Sequence, residues 1–137
     1  MFASISSAVL IGAQGYPVRV EAHVGKGLPG FSIGGLPDES VREARDRTRA
    51  AILSTGLQFP KIKVTLNLAP SDQPKSGSAM DLAIAIGILA ASGAVPPESV
   101  ETLSFIGELG LDGSLRPVPG VAPMVGALGE RDVVVPV

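Results

Sequence analysis

The sequence predicts an α/β fold, with a β-sheet carrying helices packed on it. Three observations point there. Residues 17–24 place Val18, Val20, Ala22 and Val24 between Arg19, Glu21 and His23, a period of two with one wet face. Residues 81–93, DLAIAIGILAASG, carry no charge after Asp81, and none appears until Glu98. Their apolar side chains run all the way round a helix, so the helix is expected to be buried on every side. Lys63 to Ala69 reads as a further strand, central because it leads straight into that helix.

Taken in order, residues 3–11 form the first strand, and Gly15-Tyr16-Pro17 is the turn into the second. His23 falls on the wet face and reads as an exposed strand residue. Gly25-Lys26-Gly27 does not make a phosphate loop, because Val20 stands where the loop needs Gly and Gly27 where it needs Ser or Thr. Pro29-Gly30 is a turn and Phe31–Gly34 a short third strand. A helix opens with Asp38 as its N-cap. Val41, Ala44, Thr48, Ala51, Ile52 and Thr55 make its buried stripe, and Gly56 ends it. On its outer face, Arg42–Asp46 and Glu43–Arg47 are spaced to pair. The acidic residues offset most of the field of Arg42, Arg45, Arg47 and Arg49. We therefore read a solvated, salt-bridged face in preference to a nucleic-acid surface, for which Arg42, Arg45 and Arg49 are the candidate contacts.

Ala favours helix over strand for 81–93. Ser78 and Asp81 stand three apart, as a capping pair would, and Gly93 supplies the stop. Phe105–Leu111 and Leu115–Val118 flank Asp112-Gly113 and predict a hairpin. Val121–Leu128 is a short helix broken near Pro123, and Val133–Val135 is a last strand. The chain stops just beyond it, and we expect more protein to follow.

The totals narrow the function classes. A length of 137 residues fits one domain, 1–137. Hydrophobic content of 45% with 18% charged describes a folded chain, and a net charge of −2 gives no global attraction to nucleic acid or anionic membrane. The absence of cysteine excludes disulfides and thiolate metal sites, and a single His excludes a multi-histidine metal centre. No basic N-terminal region or membrane-length apolar run appears, so we expect a cytoplasmic protein with no membrane partner.

The loop before the buried helix, residues 69–78, delivers the chain to a helix N-terminus, where free N–H groups favour anions. Lys75, Ser76, Gly77 and Ser78 form a candidate anion-binding loop. The reading we favour is that Ser78 only caps the helix and Lys75 is solvated. Asp72, Glu108 and Arg116 form a candidate structural polar network near the loop.

Four ordered stretches carry a resemblance. They are Gly35–Asp38 with Val41-Arg42-Glu43 and Arg49–Ile52; Val64–Pro70 with Asp72, Pro74-Lys75 and Gly77; Asp81-Leu82 with Ile84–Ala90; and Gly107-Glu108-Leu109 with Leu111–Val118. Together they resemble the N-terminal domain of the YifB/ComM family of bacterial magnesium-chelatase-like AAA+ ATPases, over nearly the whole chain. The resemblance implies an ATPase module beyond residue 137, with ATP and Mg as that module's cofactors and none in this chain. It implies that module as a partner, a homo-oligomeric ring, and DNA processing such as branch migration in natural transformation.

More distantly the chain resembles the Lon proteolytic domain and the C-terminal domain of RadA, whose α/β fold recurs in GHMP kinases and in ribosomal small-subunit protein five. This implies a two-layer sandwich of a mixed sheet with helices packed on it. Lon-type enzymes use a Ser nucleophile and a Lys base. The pattern Pro-Lys-x-Gly-x-Ser-Ala-Gly, laid on Pro74-Lys75, puts Ala79 at the Ser position. The pattern Gly-Glu-x-x-Leu-x-Gly, laid on Gly107-Glu108, puts Met124 at the Lys position. Neither can act as nucleophile or base, and Ser78 is one helical step, about 100°, out of place. No catalytic residue is therefore expected. A Lon-type Ser-Lys peptidase and a GHMP-like phosphate-binding domain are the alternatives.

Overall fold

A computed structural model describes residues 1–137. The alternation in the sequence becomes a six-stranded mixed sheet: β1 (Phe2–Ile11), β2 (Gln14–Gly25), β3 (Phe31–Gly34), β4 (Lys63–Ala69), β5 (Leu103–Phe105) and, last in the chain, β8 (Asp132–Val134). Their spatial order is β3-β4-β2-β1-β5-β8. β2 pairs antiparallel with β1 and β4, and the outer pairings are parallel. Val20 lies opposite Leu68 and Ala22 opposite Leu66, all on the buried face. Arg19, His23 and Thr65 are exposed on the other, where Asn67 donates to Glu21. Ala8 and Gly15, which alternate onto that other face, are covered by the last helix, residues 121–127. The dry face needs a layer of helices.

That layer is α2 (Ala44–Ser54) and α3 (Asp81–Ala91). α3 packs on β1 and β2 with α2 beside it. Nine of its residues are buried and none is exposed, which matches the all-round apolar sequence. Burying Ile84 and Ile88 completely contributes about 1.5–3 kcal/mol each. Gly87 faces the sheet, where a Cβ would stand 3.4 Å from the Ala22 methyl, so helix and sheet approach closely here. Gly93, at φ +87°, terminates the helix, and Ala94 and Val95 both donate to the Leu89 carbonyl.

Several expectations are corrected. The first two strands are joined by Gly12-Ala13, not by Gly15-Tyr16-Pro17, which lies inside β2. Pro17 is tolerated because the pairing of β2 with β4 begins only at Arg19. Gly15 is needed for contact instead: a Cβ there would stand 2.4 Å from the Pro123 carbonyl oxygen of α4 (Val121–Ala127). The helix expected from Asp38 to Thr55 is two, α1 (Glu39–Arg42) and α2, joined at Glu43. Asp38 does cap it, accepting from the Val41 N–H at 2.9 Å. Five of the six stripe residues are buried, while Thr55, in the fraying last turn, is exposed.

The expected strand 105–111 is interrupted. β5 ends at Phe105, and β6 (Glu108–Leu109) pairs instead with β7 (Leu115–Arg116) in the predicted hairpin. Asp112 sits at its tip, accepting from the Ser114 N–H and hydroxyl. α4 is continuous, because Pro123 lies in its first turn, where a missing N–H costs nothing. No helix is long and apolar enough to cross a membrane.

The packing predicts opposite effects at two helical glycines. Gly87→Val forces side-chain atoms into Ala22 and Ile5 and should cost about 1–3 kcal/mol. Gly126→Ala, where nothing lies within 4 Å of the new methyl, should gain roughly 0.5–1 kcal/mol from helix propensity. Urea denaturation of both variants measures the two signs.

Candidate functional site

The junction between the loop 70–80, the head of α3 and β6 gathers most of the chain's polar chemistry. Lys75 is anchored at both backbone ends: its N–H donates to the Leu36 carbonyl and its carbonyl accepts from Asp38 N–H. Its side chain is fully buried, with Nζ donating to the Pro70 carbonyl. The expectation of a solvated Lys75 is therefore overturned. Burial pushes its ammonium pKa down, and the charge of Asp72 offsets part of that.

Ser78 does not cap α3. Its hydroxyl donates to Glu108 Oε1 at 2.5 Å, and Asp81 turns away to another partner. The helix start is held by backbone instead. Gly107 N–H donates to the Ala79 carbonyl at 2.8 Å and Leu82 N–H to the Gly107 carbonyl at 3.2 Å, so the strap between β5 and β6 takes over the work of a cap. Gly77 N–H is taken by the Ser40 hydroxyl, which itself donates to Asp38. Ser76 is exposed beside Lys75 in a cleft against Leu36, Pro37 and Arg42.

Asp81 is buried to 1% exposure at the first turn of α3, and its partner is Arg47. Arg47 Nε donates to Oδ2 at 2.7 Å and its terminal nitrogen to Oδ1 at 2.9 Å, a two-pronged pair. The same nitrogen donates to the Ser40 carbonyl, and Leu109 N–H donates to Asp81 Oδ2 at 3.1 Å. One ion pair therefore ties together α1, α2, α3 and β6. Burial pushes the Asp81 carboxyl up, against the downward pull of the bonds from Arg47 and Leu109. The hydrogen bond to Asp81 raises Arg47 in turn. The surface pairs Arg42–Asp46 and Glu43–Arg47 do not form, because Arg47 turns inward to Asp81 and Arg42 lies 3.9 Å from Glu39.

Asp72, Glu108 and Arg116 are not joined by any hydrogen bond or ion pair. Glu108 and Arg116 face each other across β6 and β7, but the carboxylate is bound by Ser78, and Asp72 is exposed on the loop. Arg42, Arg45 and Arg49 are all exposed, each with a local partner. Arg45 donates to the Arg42 carbonyl, and Arg49 lies over the Phe59 ring at 5.7 Å from its centroid.

The two positions singled out by the Lon-type pattern come together. Ala79 and Met124 belong to one apolar cluster with Ala8, Ile106 and Leu128, and Met124 has no exposure. No serine oxygen is hydrogen-bonded to a lysine nitrogen anywhere in the chain. The Arg47–Asp81 pair was absent from the sequence reading. Its signal was the lone Asp heading an all-round apolar helix, which needs a cation when buried.

Residues 20–137 match the family model described as subunit ChlI of Mg-chelatase. The chain belongs to this family. It is 46% identical over 116 residues to the uncharacterized protein YifB of Escherichia coli (strain K12), covering 85% of this chain and 23% of that protein. It is 45% identical over 118 residues to YifB of Salmonella typhimurium, covering 86% and 23%. Against the competence protein ComM of Haemophilus influenzae it is 43% identical over 123 residues, covering 90% and 24%. This ChlI-family chain thus spans about a quarter of the length of these relatives.

Removing Arg47 would leave the Asp81 carboxylate buried and unpaired. Arg47→Met should cost about 3–5 kcal/mol near neutral pH. The sign with pH follows from the raised carboxyl: the folded state takes up a proton more readily than the unfolded one, so acidification relieves the cost. The gap between Arg47→Met and the unaltered chain should narrow as pH falls through the raised Asp81 value. Urea midpoints measured across that range test it, and a gap that widens on acidification contradicts the pairing.

Proposed function

We propose that this chain is a non-catalytic accessory domain of a magnesium-chelatase-like AAA+ ATPase, serving ring assembly or DNA engagement in DNA processing. The observation that carries this reading is the closed apolar cluster around Ala79 and Met124. A hydrolytic serine needs a base within hydrogen-bond reach and an opening for substrate. At this place an alanine methyl and a thioether pack against other apolar side chains instead. The nearby Ser78 is bonded to Glu108, and Lys75 to a backbone carbonyl.

Family membership supports the ATPase assignment for the longer protein, with ATP and Mg2+ held by the remainder of its length. The relative named as a competence protein supports a DNA-linked role. Exposed Arg42, Arg45 and Arg49 are the contacts to test for DNA engagement.

Three measurements test the reading. The chain alone should hydrolyse neither ATP nor unfolded protein. Deleting residues 1–137 from the full-length protein should weaken ring formation, seen by sedimentation, or DNA unwinding, while ATP hydrolysis without DNA persists. Unchanged assembly and unwinding after deletion would overturn the accessory role. In the chain itself, Met124→Lys should cost about 3–5 kcal/mol by burying an unpaired charge, and Ala79→Ser combined with it should produce no peptidase activity.

A further inference from the structure

The end of the domain opposite the head of α3 is built from the start of β1, the loop after β2, the segment between α2 and β4, and the tail of α3. Two clefts lie there, of about 770 and 340 Å3, and the ridge Phe59–Ile62 borders both. Their walls are apolar. The rings of Phe31 and Phe59 meet at 5.6 Å beside the smaller cleft, which Leu53 also lines. Met1, Leu57 and Ala91 line the larger one. Leu28 is 88% exposed on the adjoining loop, and Met1, Leu53, Leu57 and Ile62 are each exposed by 45% or more. Exposed apolar surface gathered around concave sites marks a binding surface, whereas single scattered residues do not.

The charge of the two clefts is one-sided. Arg49 and Lys61 line them and no Asp or Glu does, although the whole chain carries 13 acids and a net charge of −2. Glu101 lies beside Phe2 and Ala3, outside both clefts. Three of the four lysines, Lys26, Lys61 and Lys63, are exposed here. Lys61 lines both clefts, and Lys63 pairs with Gly25 beside Lys26.

We propose that this end docks an acidic, apolar peptide segment of a partner protein. Leucine-like side chains enter the two clefts on either side of the ridge, and carboxylates meet Lys61, Lys63 and Lys26. The surface favours this occupant on chemical grounds. Single-stranded nucleic acid stacks its bases on open aromatic faces. Here the two phenylalanines beside the clefts are half-buried against each other, Arg49 lies over Phe59, and the exposed apolar groups that line the clefts are aliphatic or thioether, the exposed Phe2 lying outside both. A second copy joined about a two-fold axis would set lysine against lysine.

The test is a display selection of random dodecapeptides on the chain, followed by fluorescence anisotropy with the best synthetic binder. Enriched sequences should combine Asp or Glu with two or more Leu, Ile, Met or Phe. Both Lys61→Glu/Lys63→Glu and Leu57→Ser/Ile62→Ser should raise the Kd about tenfold or more, and added salt should weaken binding. The lysine variant alters only exposed side chains, so its melting curve should match that of the unaltered chain. Failure to enrich, enrichment of basic or uncharged peptides, or a Kd unmoved by the lysine variant overturns the proposal. A short single-stranded DNA that displaces the peptide at lower concentration than free peptide does so in favour of nucleic acid. A dimer in gel filtration that the leucine variant dissociates does so in favour of self-association.

Discussion

A helix with no wet side sets the terms for everything around it. α3 needs the sheet on one flank and α2 on another, and it lies over β1 and β2 with α2 beside it. The burial is close enough that a methyl at Gly87 would already touch Ala22, Ile5 and Val20. It also creates a difficulty at the helix head, where Asp81 enters the core with its charge. Arg47 resolves it with a two-pronged bond, and in doing so pulls α1, α2 and β6 onto the same point. The position suits the carboxylate, since the N-terminal end of a helix dipole favours negative charge.

That arrangement explains why the head of α3 differs from the reading of a solvated, serine-capped loop. The backbone strap through Gly107 accepts from Leu82 N–H and so meets a need that a capping serine would otherwise meet. Ser78 is then available to Glu108, and Lys75 turns inward to hold the loop through Pro70. Two carboxylates, Asp81 and Glu108, lie near a single Arg47, so the field at this point is not that of a bare helix N-terminus.

Much of the fold was legible in local pattern. The alternation at 18–24, the all-round apolar helix, Asp38 as a cap and the hairpin around Asp112-Gly113 each rest on chemistry contained in a few neighbouring residues. The misses required knowledge of distant neighbours. Pro17 looked like a turn because nothing local says that β4 stops pairing at Arg19. Arg47 looked like a surface residue because its helical spacing to Glu43 is satisfied on paper, while the partner that wins is Asp81, thirty-four positions on. Ser78 looked like a cap because the strap that replaces it comes from residue 107. At the site, the Lon-type pattern singled out Ala79 and Met124 separately, and only the packing brings them into one cluster with Ala8, Ile106 and Leu128.

The account rests on that cluster being closed, dry core at the two positions where the Lon-type pattern would place a reactive pair. The most direct measurement is the NMR signature of the Met124 ε-methyl, observed with 13C-labelled methionine. A closed core predicts a shift displaced from its random-coil position and nuclear Overhauser contacts to the methyls of Ala8, Ala79, Ile106 and Leu128, with none to water. A methyl at the random-coil shift, exchanging magnetisation with solvent, would show an open pocket at this place and contradict the account.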